Sequence, residues 1–295
     1  LELGFLEDKL NLAISWYRNR SSNQLVGYPL PAITGFNTVQ ANLPATVENS
    51  GWELELSSIN LNLDNFRWQT SLNFSVPKNS LVSYPNIEQS SYANTYRIGH
   101  PVNISLLYRY EGIDPETGLY RIADINDDGS FDYEDRVVIQ DLTREYYGGI
   151  NNNLSFKNFS LQFLLQYVKH EGMASFFNAG RPTNQRRVVS DALNSNGDIQ
   201  RISQLPAFNQ AYSNALNSNL PIQDASFLRL KTFSLGYNLP ESLLKSFLLT
   251  KGKIFLIGQN LFTISPYEGL DPELSYSNTS FANLRTVTAG LQFNF

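Results

Sequence analysis

Apolar and polar residues alternate with period two along much of the chain. In 66–76, Phe66, Trp68, Thr70, Leu72, Phe74 and Val76 fall on one face, and Arg67, Gln69, Ser71, Asn73 and Ser75 on the other. Residues 10–17 set Leu10, Leu12, Ile14 and Trp16 against Asn11, Ala13, Ser15 and Tyr17. Residues 159–167 and 286–295 repeat the alternation. Successive side chains of a strand point to opposite sides, so this period marks strands with different surroundings on their two faces. Ten strands are predicted: 1–6, 9–20, 48–59, 66–76, 100–111, 144–156, 160–170, 224–238, 252–263 and 284–295. One short helix is predicted over 240–247, opened by Pro240.

The connections alternate too. Short ones (7–9, the stretch near 62–65, 157–158) are predicted between long ones at 21–47, 77–99, 171–223 and 264–283. The polar face is mostly Ser, Thr, Asn and Gln, and aromatics gather near strand ends, as at Trp16, Tyr17, Trp52, Trp68 and Tyr167. A soluble sandwich usually turns Lys and Glu to water. An apolar outer face, aromatic girdles, a polar interior and turns of unequal length favour an all-β, antiparallel transmembrane barrel.

Composition narrows the function classes. With 13% aromatic and 17% charged residues, the chain is not of disordered type. A net charge of -5 with 22 Lys+Arg argues against nucleic-acid binding. Zero cysteines exclude disulfides, thiolate metal sites and cysteine nucleophiles, and two histidines, His100 and His170, form no His-rich cluster. No apolar run approaches the ~18 residues of a spanning helix.

The sharpest local motif is Asp124-Ile-Asn126-Asp-Asp128-Gly129-Ser130-Phe-Asp132-Tyr-Glu-Asp135. Side-chain oxygens at positions 1, 3, 5, 9 and 12, a glycine at 6 and the Ser130 carbonyl at 7 match an EF-hand calcium loop. Asp135 stands where the longer Glu is usual, and the flanks do not read as a helix pair. The loop is therefore expected to hold Ca2+ in a structural role within a β connection. The competing reading is a solvated acidic turn closed by Asx hydrogen bonds.

Catalytic constellations are poor, and no enzyme activity is expected. Asp114 and Glu116 flank Pro115 in what reads as a turn, and His100 and His170 read as loop or interface residues. Arg181, Arg186 and Arg187 form a loop charge cluster. Glu53 and Glu55 share a polar strand face that a barrel would turn into its lumen. Tyr84, Tyr92, Tyr96, Phe176, Phe177, Phe208 and Tyr212 are loop aromatics suited either to stacking on a ligand or to packing the loops together.

The C-terminal third carries a resemblance. Residues 224–240 (DASFLRLKTFSLGYNLP), then Leu243-Leu244-Lys245, 254–263 (IFLIGQNLFT) and 267–273 (YEGLDPE) resemble the end of SusC/RagA-type TonB-linked outer-membrane transporters. Asp135-Arg136 after the acidic loop, Tyr147-Gly148-Gly149 and the pair of strands at 153–166 are similar to that family as well. So is the final Leu291-Gln-Phe293-Asn-Phe295, which resembles the terminal strand signal read by the barrel-assembly machinery.

The resemblance implies a plugged barrel of about 22 strands. It implies TonB-driven import of oligosaccharides or peptides, a SusD-like surface lipoprotein partner and the Gram-negative outer membrane. Against that pattern, residues 1–295 read as a C-terminal barrel segment without plug or N-terminal domains. Such a segment needs outer-membrane lipid, the remainder of its own barrel and, through other regions, the TonB complex. Two rival readings are a non-transporting barrel subunit of a surface assembly and a soluble calcium-dependent carbohydrate-binding sandwich.

Overall fold

The computed structural model describes residues 1–29, 33, 35–36, 38–117, 119–173, 208–245, 249–275 and 282–295. Its main element is an antiparallel sheet. Along it run β1 (Glu2–Phe5), β2 (Leu10–Ser22), β5 (Thr46–Leu63), β6 (Phe66–Ser83), β11 (Arg144–Phe156), β12 (Phe159–Met173), β14 (Phe227–Asn238), β15 (Lys251–Gln259) and β17 (Thr286–Asn294), each hydrogen-bonded to the next. Between them come β3 (Leu25–Pro29) and β4 (Thr38–Asn42), which pair as a hairpin. β7 (Ile104–Leu107) pairs with β10 (Val138–Asp141), and β8 (Tyr110–Ile113) with β9 (Tyr120–Ile122). β13 (Ile222–Asp224) extends the ladder of β12, and β16 (Thr263–Ile264) that of β14. Two helices are short: α1 (Phe208–Leu216) and α2 (Glu241–Lys245).

Every main-sheet strand pairs with the one before it in the sheet's order and runs opposite to it. The chain therefore leaves the sheet at one edge after residues 5, 63, 156 and 238, and at the other after residues 22, 83, 173 and 259. The short links turn tightly. Leu6, Glu7 and Asp8 have φ near 60°, and Lys157 has φ 51°.

The apolar face is not buried. Trp16 and Trp52 sit opposite one another and are each 56% exposed, and Leu291 is 64% exposed. Leu3, Ile150, Phe156, Leu235, Ile254, Leu256 and Val287 continue this exposed surface across the sheet. Isolated exposed apolar residues are ordinary, but a belt shared by nearly every strand is an interaction surface. Two aromatic pairs mark its short-turn border: Phe66 with Phe156 at 6.4 Å between ring centroids, and Phe159 with Tyr237 at 4.6 Å.

Polar atoms on this face satisfy one another. Ser58 Oγ donates to Asn60 Oδ1 (2.8 Å), and Asn60 Nδ2 donates to Thr70 Oγ1 (2.7 Å). Thr70 Oγ1 and Trp68 Nε1 both donate to Asn152 Oδ1, at 2.7 and 2.9 Å. The chain crosses three strands, and it spares these groups the cost of meeting an apolar medium unpaired. Compact packing lies instead at the long-link end, where Leu81 of β6 forms a small core with Ala45 and Tyr84 of the adjoining links.

The structure corrects several boundaries. Residues 100–111 are not one wall strand but β7 and β8, both outside the main sheet. The run breaks at Tyr108, whose amide and carbonyl bond to Asn217 and Asn219 instead of continuing the β7 ladder. β6 continues through Pro77 to Ser83, and a hairpin and helix α1 occupy parts of the predicted long loops. Asn260, with φ 50°, ends β15 at Gln259, so Thr263–Ile264 forms a separate short ladder. Tyr17 lies on the polar face, as the alternation over 10–17 predicts, with its ring over Gly51. The helix predicted over 240–247 is described at Glu241–Lys245.

Candidate functional site

The long-link edge holds most of the candidate chemistry. The link 84–143 leaves at the end of β6 and returns at the start of β11, its neighbour in the sheet. Inside it, β7–β10 carry the acidic loop 124–135.

That loop is closed by its own carboxylates. Asp124 Oδ2 accepts from the Gly129 amide (2.9 Å), Asp128 Oδ1 from the Ser130 amide (2.7 Å) and Asp132 Oδ1 from the Glu134 amide (2.8 Å). Asn126 Oδ1 accepts from the Asp128 amide at 3.2 Å. Asp135 is fully buried, and its two oxygens accept the amides of Ile125 (2.7 Å) and Asp132 (3.0 Å), tying the ends of the loop together. Asp127 and Gly129, with φ of 56° and 77°, make the sharp bend. Asp124 Oδ1 is buried without a hydrogen-bond partner. Among the described residues, no three His, Cys, Asp or Glu side chains converge as a metal-holding group. Beside the loop, the Arg136 guanidinium lies over the rings of Tyr133 (4.7 Å) and Tyr108 (5.0 Å).

The loop aromatics divide by position. Tyr84 is buried, its ring is 6.3 Å from Tyr92, and Tyr92 stacks on Tyr96 at 5.3 Å, so these three pack the first stretch of the 84–143 link. Tyr212 on α1 lies 6.5 Å from Tyr120 on β9 and joins two links. Phe176, Phe177, Arg181, Arg186 and Arg187 fall outside the described residues, and Phe208 opens α1.

Asp114 forms the turn its sequence suggests. Its Oδ1 accepts the amides of Glu116 (3.0 Å) and Thr117 (2.8 Å) and the Thr117 hydroxyl (2.9 Å). The Thr117 amide foremost, with the Thr117 hydroxyl, holds its carboxyl below the ordinary aspartate value. His170 is buried, with Nδ1 3.1 Å from the Glu171 carbonyl oxygen.

The polar face places Glu53 and Glu55 together on β5. Glu55 shares a recess with Glu2, Asp8, Asn11, Ser71, Asn73 and Asn151. This wall offers hydrogen-bonding groups and carboxylates to whatever lies against it.

One cluster escaped the sequence reading. Arg229 on β14 is 2% exposed, and its Nη2 contacts Asp271 Oδ1 at 2.5 Å, its Nη1 Glu273 Oε2 at 2.7 Å and its Nε Thr263 Oγ1 at 2.9 Å. Lys231 Nζ reaches Glu273 at 3.0 Å, and Asn283 gives its amide to Asp271 Oδ2 at 2.9 Å and its Nδ2 to Glu273 Oε2 at 2.9 Å. Burial pushes the Asp271 carboxyl up, but Arg229 and the amides of Asn283 and Glu273 outweigh it and hold it below the ordinary value. The signal was present as alternate charges, Arg229-x-Lys231 and Asp271-x-Glu273, but nothing local joins them.

In the last strand, Leu291 pairs with Ile254 and Phe293 with Gly252, both on the apolar face, while Gln292 faces the other side opposite Lys253. Phe295 follows the strand and is almost fully exposed.

No family model matches the chain. All of the chain aligns with TonB-dependent receptor P3 of Formosa agariphila at 28% identity, covering 33% of that protein. It also aligns over its full length with TonB-dependent receptor SusC of Bacteroides thetaiotaomicron at 24% identity, covering 31% of it. The chain thus spans about a third of the length of the curated relatives it matches. Among solved structures, the RagAB peptide transporter superposes on the whole chain with a TM-score of 0.76 at 23% identity, over 34% of that chain. The resemblance to SusC/RagA-type receptors extends along the whole chain, and the fold is that of part of their antiparallel barrel. The relatives are receptors and transporters, not enzymes.

Proposed function

We propose that this chain forms the C-terminal part of the barrel wall of a SusC-like, TonB-dependent outer-membrane importer. The carrying observation is the sheet itself. An exposed apolar belt lies on one face, a polar wall rich in Ser, Thr, Asn and Gln with a few charged groups on the other, and the connections alternate between short and long. Belt, wall and unequal turns are the arrangement of a lipid-embedded barrel. The long links would form its outer mouth, and a SusD-like surface lipoprotein would close over them. Binding would rest on hydrogen bonds, shape and aromatic contact. No bond in the nutrient is made or broken, and the energised step would act on a plug supplied by the rest of the protein.

The substrate class follows the relatives. The RagAB structure is that of a peptide transporter, which supports a peptide, and the resemblance to the SusC/RagA type adds oligosaccharides as the other class. Uptake of labelled oligosaccharides and peptides by cells carrying the full-length protein tests this, with TonB intact and with TonB removed. Uptake that needs both the protein and TonB is expected. Equal uptake without TonB would overturn the reading.

We also infer a structural calcium ion in the loop of Asp124, Asn126, Asp128, Ser130, Asp132 and Asp135. The supporting observation is Asp124 Oδ1, a buried carboxylate oxygen left without a donor, which a hard cation would satisfy. The carboxylates stand apart as placed, so binding would draw Asp128 and Asp132 inward while Asp135 keeps the loop closed. Titration of the full-length protein with calcium should release or absorb heat, and Asp124→Asn should abolish the signal. No heat from the unaltered protein, with thermal stability indifferent to chelator, leaves the Asx-closed turn as the whole role of the loop.

A further inference from the structure

The apolar belt ends, on the long-link side, in a row of fixed cations. Trp16, Trp52 and Val76 lie side by side on β2, β5 and β6. One step further along the same face, Arg18 stands opposite Ser50, and Ser50 opposite Lys78. One step beyond that, Arg20 stands opposite Glu48. No register shift intervenes between these positions, so all four charged side chains share the face of the tryptophans. Each step along the face is about 6.7 Å, and Arg18 and Lys78 are two strand spacings, roughly 10 Å, apart.

The two arginines are held in place. Arg18 Nε and Arg20 Nε both bond to one oxygen of Glu48, at 2.8 and 2.5 Å. Such contacts through Nε leave the two-nitrogen outer edge of each guanidinium turned away from the carboxylate, and both side chains are about half exposed. Lys78 is exposed and, among the described residues, has no ion pair. Farther along the sheet, Lys169 is already matched by Asp224 at 3.1 Å. Three cations against one carboxylate leave the patch positive in a chain of net charge -5.

We infer that Arg18, Arg20 and Lys78 bind the phosphate of an anionic lipid headgroup, with its acyl chains along Trp16, Trp52 and the apolar belt below. The inference rests on the barrel reading above. Guanidinium forks match phosphate oxygens in pairs, and Lys adds a mobile point charge. The belt supplies the other half of the recognition, because an amphiphile with a phosphate above its chains meets cations and apolar surface in the order this face presents them. Free phosphate would meet the cations alone. Phosphorylated lipid of the leaflet at the long-link side is therefore the occupant.

The test uses the full-length protein, extracted from outer membranes and examined by native mass spectrometry with bis-phosphorylated lipid A and its dephosphorylated form. The unaltered protein should retain the phosphorylated lipid and release the other. In the combined variant Arg18→Gln, Arg20→Gln, Lys78→Gln, retention should weaken by roughly 100-fold, at about one factor of five per cation near a membrane surface. Lys253→Gln, on the polar face, should leave retention unchanged. Inorganic phosphate at equal concentration should not displace the lipid. Equal retention of the two lipids, undiminished retention by the triple variant, or displacement by inorganic phosphate would each overturn the inference. If the triple variant fails to reach the membrane, the comparison of the two lipids on the unaltered protein still decides. Absence of the unaltered protein from the membrane would instead overturn the barrel reading itself.

Discussion

Arg229 is the residue on which the 260–285 link depends. Its guanidinium meets two carboxylates and a hydroxyl at a site almost closed to water. Removing one member of a buried pair leaves the other charge uncompensated and costs about 3–5 kcal/mol. Arg229→Met should therefore open the link, and amide hydrogen exchange at Asp271–Ser275 should accelerate by roughly two orders of magnitude or more. The same contacts set a pH dependence. The Asp271 carboxyl is held below its ordinary value of 3.8 when folded, so its stabilisation is complete above that value. It disappears as pH falls through the lower, folded value, because protonation then takes place in both states. Protection of this link should be flat at neutral pH and fall below about pH 4. Asp271→Asn should remove the acid-side slope. Asp135 makes a matching case in the acidic loop. Asp135→Ala leaves the amides of Ile125 and Asp132 without their acceptor, at a cost of about 1–3 kcal/mol. Proteolysis within 124–135 should become faster whether or not calcium is present.

Strands in this chain tolerate change according to the face concerned. Leu291 and Phe293 lie on the apolar face of β17, so Leu291→Asp or Phe293→Asp should block membrane assembly. A carboxylate on a lipid-facing position costs up to a few kcal/mol near the midplane. Gln292→Asp, one position along on the polar face, should assemble normally, and the yield of heat-modifiable protein in the outer membrane separates the three. Gly148 makes a different demand. A Cβ there would meet the carbonyl oxygen of Asn73 at 2.4 Å, which is backbone and cannot swing aside. Gly148→Val should thus force β6 and β11 apart and lower assembly yield, although it only adds apolar surface. The faces explain what the sequence could reveal. Alternation was legible in β2, β6, β12 and β17, where one side meets an apolar surrounding and the other a polar one. It faded at Pro77–Ser83, where β6 runs on past the belt and neither face is apolar throughout, so a strand that continues was read as ended. Residues 100–111 misled in the opposite sense. Leu106, Leu107 and Tyr108 are buried, but in short elements outside the main sheet rather than in a wall strand.

At the scale of the molecule, barrel type, sidedness and kinship were all present in the pattern and the motifs. Pairings between distant positions were not. Arg229 meets Asp271 across 42 positions, and Trp68 meets Asn152 across 84. No local period carries such information, because it arises only when the sheet brings strands and links together. The acidic loop was legible as a loop with oxygen-rich spacing. Its closure by the buried Asp135 was not, since a carboxylate turned inward to two amides looks, in sequence, like any other ligand position.

The excursion between β6 and β11 has a consequence for how such walls diversify. It leaves and returns on neighbouring strands, with β6 running on to Ser83 past Ser75, the last of its residues that pairs with β11. It is clasped to the wall at Leu81, whose amide donates to the His100 carbonyl and whose carbonyl accepts the Gly99 amide. Beyond that clasp, among the described residues, the insert pairs with no main-sheet strand between Ile104 and Asp141, so this part can be lengthened, shortened or exchanged while the pairings of the main sheet stay in place, much as a tool is changed in a chuck. A glycine–serine bridge in place of 104–141 should therefore leave membrane assembly intact while removing whatever the mouth recognises, and surface yield measured beside nutrient uptake would show the two properties part company. On the importer reading proposed above, selection acting on the nutrient can rework the insert while selection acting on the barrel stands still.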